Sequence, residues 1–147
     1  AYMKALELYV LGMQTFRDDS GRMYGLAVYD AISEAVNEGR VDSFGFKYCV
    51  GVFYERKDAM LKYLEEMQKE QNCDLQAQMI DSFRITVDLY RRLMFDVLRE
   101  GTEGWNSLFE PVDREHYLEA IKIIQKLKAS EERNVELAKR ILQKKIL

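Results

Sequence analysis

A chain of 147 residues with 48% hydrophobic and 32% charged side chains can bury one core of ordinary size, which excludes a disordered chain. One proline and eight glycines are too few for a turn-rich β protein, and no run of about 18 apolar residues is present to span a membrane. The net charge of −3 is unevenly spread: from Ala120 onward there are eight Lys/Arg and three Asp/Glu, which leaves the rest of the chain at −8.

Residues 2–17 read as a first helix, because Met3, Leu6, Val10 and Met13 recur at spacings of three and four and share one face. Lys4 and Glu7 interrupt this apolar stretch, and no signal-peptide cleavage pattern follows. Asp18-Asp19-Ser20-Gly21 breaks the pattern as a turn. A second helix is expected from about Arg22 to Glu38, with Gly25, Val28, Ile32 and Ala35 facing inward. Gly39 follows it, where a left-handed cap favours a residue without Cβ.

Asp42 or Ser43 can cap a third helix by accepting a bond from a free N–H. Its seam is Phe46, Val50, Phe53, Met60, Leu64 and Met67. Lys57 falls on that seam, so Tyr54-Glu55-Arg56-Lys57-Asp58 is expected to be a kink or short break. Asn72-Cys73-Asp74 is the expected junction to a fourth helix, with Asp74 as its cap. One helix over 43–100 is the alternative, since no Gly or Pro separates the two. Leu75, Met79, Phe83, Thr86, Tyr90, Leu93 and Val97 make the inner face of the fourth helix, which ends near Glu100.

Residues 101–112 form the one long loop, and Trp105, Leu108 and Phe109 within it predict that it folds back onto the bundle. A fifth helix begins after Asp113, with Val112 and Tyr117 spaced as a hydrophobic staple. Tyr117, Ala120, Ile124 and Leu127 face inward. Ser130 can cap a sixth helix, with Glu131 and Glu132 at its positive end and Lys139, Arg140, Lys144 and Lys145 near the other. The fold class is therefore all-α: a single domain of five or six mostly antiparallel helices, joined by short connections except at about 101–112.

The sole histidine limits the chemistry. His116 and Glu119 are three apart beside Asp113 and Glu115, but a di-iron bundle needs two Glu-x-x-His units. A Ser-His-Asp or Cys-His set would need the same histidine. Gly101-Thr102-Glu103-Gly104 lacks the lysine of a phosphate loop. No catalytic residues, metal or cofactor are therefore expected. Cys49 and Cys73 form no disulfide framework and read as reduced thiols of a cytoplasmic protein, a bridge between them being the alternative.

Helix four carries Asp81, Arg84, Asp88, Arg91, Arg92, Asp96 and Arg99 at helical pair spacings, the pattern of a solvated face. Seven of nine tyrosines lie in the first 63 residues. Tyrosine buries a ring and keeps a polar tip, which suits groove walls and interfaces. Gly12, Gly25, Gly45 and Gly51 lie in the same region and allow close helix crossings or room for a ligand. The candidate groove comprises Tyr9, Tyr24, Tyr29, Tyr48, Tyr54 and Trp105.

Residues 31–50 have a helix-turn-helix spacing, but the second helix would offer Phe44-Gly45-Phe46-Lys47-Tyr48-Cys49, with one cation, to bases. The basic C-terminal segment spreads its lysines around the helix, so nucleic acid is a second alternative only. The first reading is a non-enzymatic interaction or regulatory module whose partner is a protein or itself, as a homodimer. The first alternative is a ligand-binding or enzymatic bundle that takes a small molecule, with the 101–112 loop as a lid.

Overall fold

The computed structural model of the chain describes residues 1–20, 23–68, 73–99 and 105–146, and within these the side chains of all but Phe16, Met23, Tyr24, Trp105, Asn106, Lys145 and Ile146. The order is α1 (Tyr2–Gly12), β1 (Phe16–Arg17), β2 (Met23–Tyr24), α2 (Ala27–Asn37), α3 (Ser43–Gln68), α4 (Asp74–Arg91), a π-helical segment (Arg92–Leu98), a 3-10 turn (Trp105–Phe109) and α5 (Arg114–Ile146). The architecture is an all-α bundle, with one two-residue ladder between α1 and α2.

Local signals account for three helix ends. Asp42 caps α3 by accepting the Gly45 N–H at 2.7 Å, and Asp113 caps α5 by accepting the His116 N–H at 2.8 Å. Gly39 has φ +71° and ends α2 in a Schellman pair: its N–H bonds to the Val36 carbonyl and that of Arg40 to the Ala35 carbonyl.

Four boundaries differ from expectation. The first helix ends at Gly12, and Phe16–Arg17 leaves it to pair with Met23–Tyr24 in antiparallel register. The Asp18 carboxylate takes the Ser20 N–H at 3.0 Å, which stabilises the turn instead of a further helical turn. Gly25 precedes α2 and does not lie on its face. Its φ is +78°, and a Cβ there would stand 2.2 Å from the Gln14 carbonyl oxygen. Cys73, and not Asp74, is the N-cap of α4. The fourth helix does not stay α-helical: over Arg92–Leu98 it widens to π geometry, closed by an Arg99 N–H bond to the Met94 carbonyl. Gly51 lets α3 approach this segment, because a Cβ there would already meet the Met94 Cε at 3.3 Å.

The two largest corrections concern continuity. Lys57 does not break α3, which runs unbroken from Ser43 to Gln68. Ser130 caps nothing: α5 runs through it as one helix of 33 residues, about 50 Å long. No Gly or Pro follows Pro111, so nothing in this stretch obliges the helix to stop.

Two apolar clusters fill the bundle. One joins α2 with the first half of α3, the π segment, Leu108 and the first half of α5, around Phe46, Leu93, Ile124 and Leu127. The other joins α1 with the second half of α3, the first half of α4 and the second half of α5, around Leu6, Leu64, Phe83 and Leu137. Helices α3, α4 and α5 run through both storeys, and a layer of polar side chains lies where the storeys meet. No described helix is long and apolar enough to cross a membrane.

Candidate ligand pocket and its buried polar layer

The polar layer centres on Glu131, which is wholly buried. Lys57 Nζ stands 2.7 Å from its Oε1, Tyr29 donates to Oε1 at 3.2 Å, and Tyr9 donates to Oε2. Tyr29 and Tyr90 share a hydroxyl–hydroxyl bond of 2.5 Å, and Lys57 Nζ lies 5.1 Å from the centre of the Tyr9 ring. The layer continues through Asn134, whose Nδ2 donates to Thr86 Oγ1 at 2.8 Å and whose Oδ1 accepts from Ser82. Thr86 Oγ1 also meets Ser130 Oγ at 2.6 Å. A buried carboxylate is tolerated only when paired and hydrogen-bonded, and here it has both a cation and two phenols.

Loss of hydration raises the phenol pKa of Tyr9, Tyr29 and Tyr90 well above its ordinary value, and the negative charge of Glu131 raises all three further. Tyr2, buried in the α1 storey, is pushed up to about 12 by burial, with smaller contributions from Cys73 and Tyr63.

Beside this layer is a cavity of about 480 Å³ between α2, α3, the end of α4, the π segment and α5. Its wall is mainly apolar, with Ile32, Val41, Phe46, Val50, Leu93 and Leu127 among its side chains. Tyr29 and Tyr90 belong to both the wall and the polar layer. Arg40, Asp42 and Cys49 are its other polar residues. Arg40 pairs with Glu38, and Asp42 is occupied with the α3 cap. Cys49 and Cys73 are free thiols, both exposed.

The six tyrosine and tryptophan positions expected to form one groove do not share one. Tyr9 and Tyr29 converge on Glu131. Tyr54 is half-buried, with its ring edge-on to Phe95 at 5.9 Å and its hydroxyl accepting from Arg91 at 3.4 Å. Tyr48 is 54% exposed and stacks on Phe44, which in turn stacks on Phe109 at 5.0 Å. The side chains of Tyr24 and Trp105 lie outside the described residues. Of the four glycines named with them, Gly51 marks a close crossing, Gly25 a turn and Gly45 the α3 cap, while a Cβ at Gly12 would meet nothing within 4 Å.

The described side chains of the 101–112 segment do not line the cavity. Lys47 pins this segment: only 1% exposed, it donates to the carbonyls of Ser107 and Glu110, both at 2.7 Å. Loss of hydration lowers the Lys47 ammonium pKa, against the raising effect of Glu110. Leu108 is buried in the first storey, and Arg99 Nε donates to Ser107 Oγ at 2.6 Å.

His116 holds Asp113 through both its backbone N–H and, at 2.7 Å, its Nδ1. Among the described residues no three His, Cys, Asp or Glu side chains are grouped so as to hold a metal ion.

Sequence reasoning missed Glu131, Lys57 and the Ser82–Thr86–Asn134–Ser130 group. A signal for them existed. Continuing the fifth helix past Leu127 places Glu131, Asn134 and Ala138 on the inward face, and Lys57 already lay on the α3 seam. Opposite charges on two apolar seams are the sequence trace of a buried ion pair. No protein-family model, curated protein or solved structure matches the chain.

Proposed function

We propose that this bundle binds a small, mainly apolar molecule in the cavity between α2, α3, α4 and α5. The observation that carries the reading is a preformed space of about 480 Å³ whose wall is hydrocarbon apart from a few polar groups. Small-molecule sites span roughly 300–1,000 Å³ and combine apolar walls with a small number of placed polar groups. Tyr29 and Tyr90 supply such groups, and their attachment to Glu131 and Lys57 holds them in fixed orientation. No lid is required by this reading.

The cysteines provide the test. Cys49 belongs to the cavity wall and Cys73 begins α4, so one thiol reports on the site and the other serves as control. Saturation with the neutral fluorophore N-phenyl-1-naphthylamine should slow the reaction of Cys49 with a chromogenic disulfide several-fold and leave Cys73 unchanged. Ala35→Trp, which fills the cavity from α2, should abolish both the fluorescence gain and the protection. Equal reaction rates with and without the fluorophore would refute the cavity as a binding site.

A second reading has its own observation. Phe44, Tyr48 and Phe109 form an exposed stacked cluster, with Phe109 60% exposed. Exposed aromatic groups of this kind are enriched at protein interfaces, which supports an interaction module that self-associates through this face. Sedimentation velocity should then show a dimer that Phe44→Ser with Phe109→Ser converts to monomer. A monomer in the unaltered protein at 100 micromolar would refute it.

A further inference from the structure

The hydrogen-bond chain behind the cavity wall has a direction, and the direction selects a ligand chemistry. A carboxylate only accepts hydrogen bonds, so the three groups against Glu131 all donate to it: Lys57 Nζ, the Tyr9 hydroxyl and the Tyr29 hydroxyl. Tyr29 has one phenolic proton, and Glu131 takes it. The 2.5 Å contact between Tyr29 and Tyr90 must then use the proton of Tyr90. Both phenolic protons are thus committed towards Glu131.

Tyr29 and Tyr90 are the hydroxyl-bearing side chains of the described wall, and each has only lone pairs left to offer. The charged donor at the wall, Arg40, has a side chain 58% exposed and engages Glu38 through its Nε. Around Tyr29 and Tyr90 the wall is therefore an acceptor surface set in hydrocarbon. An acceptor-only ligand would face these oxygens lone pair to lone pair. An ion placed against these two oxygens would be stripped of water with no unbalanced charge behind them, since Lys57 already balances Glu131.

We infer that the cavity selects neutral, mainly hydrocarbon molecules carrying one hydrogen-bond donor, such as an alcohol, a phenol or an amide N–H, over acceptor-only molecules of the same shape. This rests on the cavity-binding reading above and deepens it.

The experiment compares 2-nonanol with 2-nonanone, which share a carbon skeleton and differ in the presence of a donor. Each displaces N-phenyl-1-naphthylamine from the full chain, followed by fluorescence. The alcohol should displace it at about a tenfold lower concentration, as one net hydrogen bond requires. Tyr29→Phe removes the acceptor of the Tyr90 proton and frees that proton for a ligand, so the preference should shrink to parity or reverse. The unaltered protein decides the question even where this variant folds poorly. Equal displacement by the two molecules, or tighter binding of the ketone, overturns the inference and leaves the cavity reading standing. Failure of the fluorophore itself to bind overturns both.

Discussion

Replacing Lys57 with methionine removes the cation 2.7 Å from Glu131 and keeps an unbranched apolar stem as far as the ε position. At an effective dielectric of about 20, that separation corresponds to an attraction of about 6 kcal/mol. The Lys57 side chain is 13% exposed, so methionine also relieves the desolvation of the ammonium, which offsets part of the loss. The net cost should be roughly 3–5 kcal/mol, because Glu131, with no exposed surface, is left without its counter-ion. Against a stability of about 5–15 kcal/mol for a typical domain, this is a large fraction. Urea unfolding at pH 7 and 25 °C measures it, provided that the slope with denaturant is unchanged. Adding Glu131→Gln removes the unpaired carboxyl group, and its side-chain carbonyl can still accept from Tyr29. The double variant should therefore be more stable than Lys57→Met alone by about 2 kcal/mol or more. A cost below about 1 kcal/mol for Lys57→Met would refute the buried pair, as would a double variant less stable than the single.

The other predictions concern the scaffold. Gly25→Ala should destabilise by well over 1 kcal/mol, since positive φ is joined by a clash with the Gln14 carbonyl, whereas Gly39→Ala, with the same sign of φ and open space, should cost only about 1 kcal/mol; thermal unfolding that ranks them equally would contradict this account. Absorbance at 295 nm should show Tyr2, Tyr9, Tyr29 and Tyr90 still protonated at pH 11 in the folded protein. Their folded pKa values lie above that of the unfolded chain, about 10, so the stability they contribute is whole below pH 10 and is lost as pH rises beyond it; ionisation of all tyrosines near pH 10 without unfolding would be the contrary result. Lys47→Met leaves the Ser107 and Glu110 carbonyls without their donor and should destabilise by about 2 kcal/mol, with faster hydrogen exchange across residues 107–112 than across α4; uniform exchange would show that Lys47 does not pin the segment.

Much of the fold was legible in the chain because helix signals are local. The inward face of α4 and the π segment from Met79 to Val97 follows from spacing, and all of its expected members in that range are buried. Asp42, Asp113 and Gly39 act where their chemistry suits a helix end. The same locality produced the errors. Ser130-Glu131-Glu132 has the composition of a helix start, yet a cap is an opportunity and not a break, and the ladder of α5 passes straight through it. Lys57 reads as a defect in an apolar seam as long as its partner is 74 residues away and out of view. Phe16 continues a helical period but leaves the helix, because the Asp18 turn and the constrained Gly25 favour the small ladder.

The candidate site divides along the same line. Tyr9 and Tyr29 were identified by residue type, which records a preference for half-polar surroundings, but type alone grouped them with Tyr48, and the fold sends that ring to the outside. By itself the sequence determined that the chain forms helices, which faces are apolar and where several helices end, since hydrogen bonds within a helix and the 3.6-residue period span only a few residues. Tertiary structure alone decided that Lys57 meets Glu131, that Tyr29 meets Tyr90 and that a cavity opens beside them, because each of these depends on how far helices distant in the chain approach and on the charge they must neutralise once water is gone.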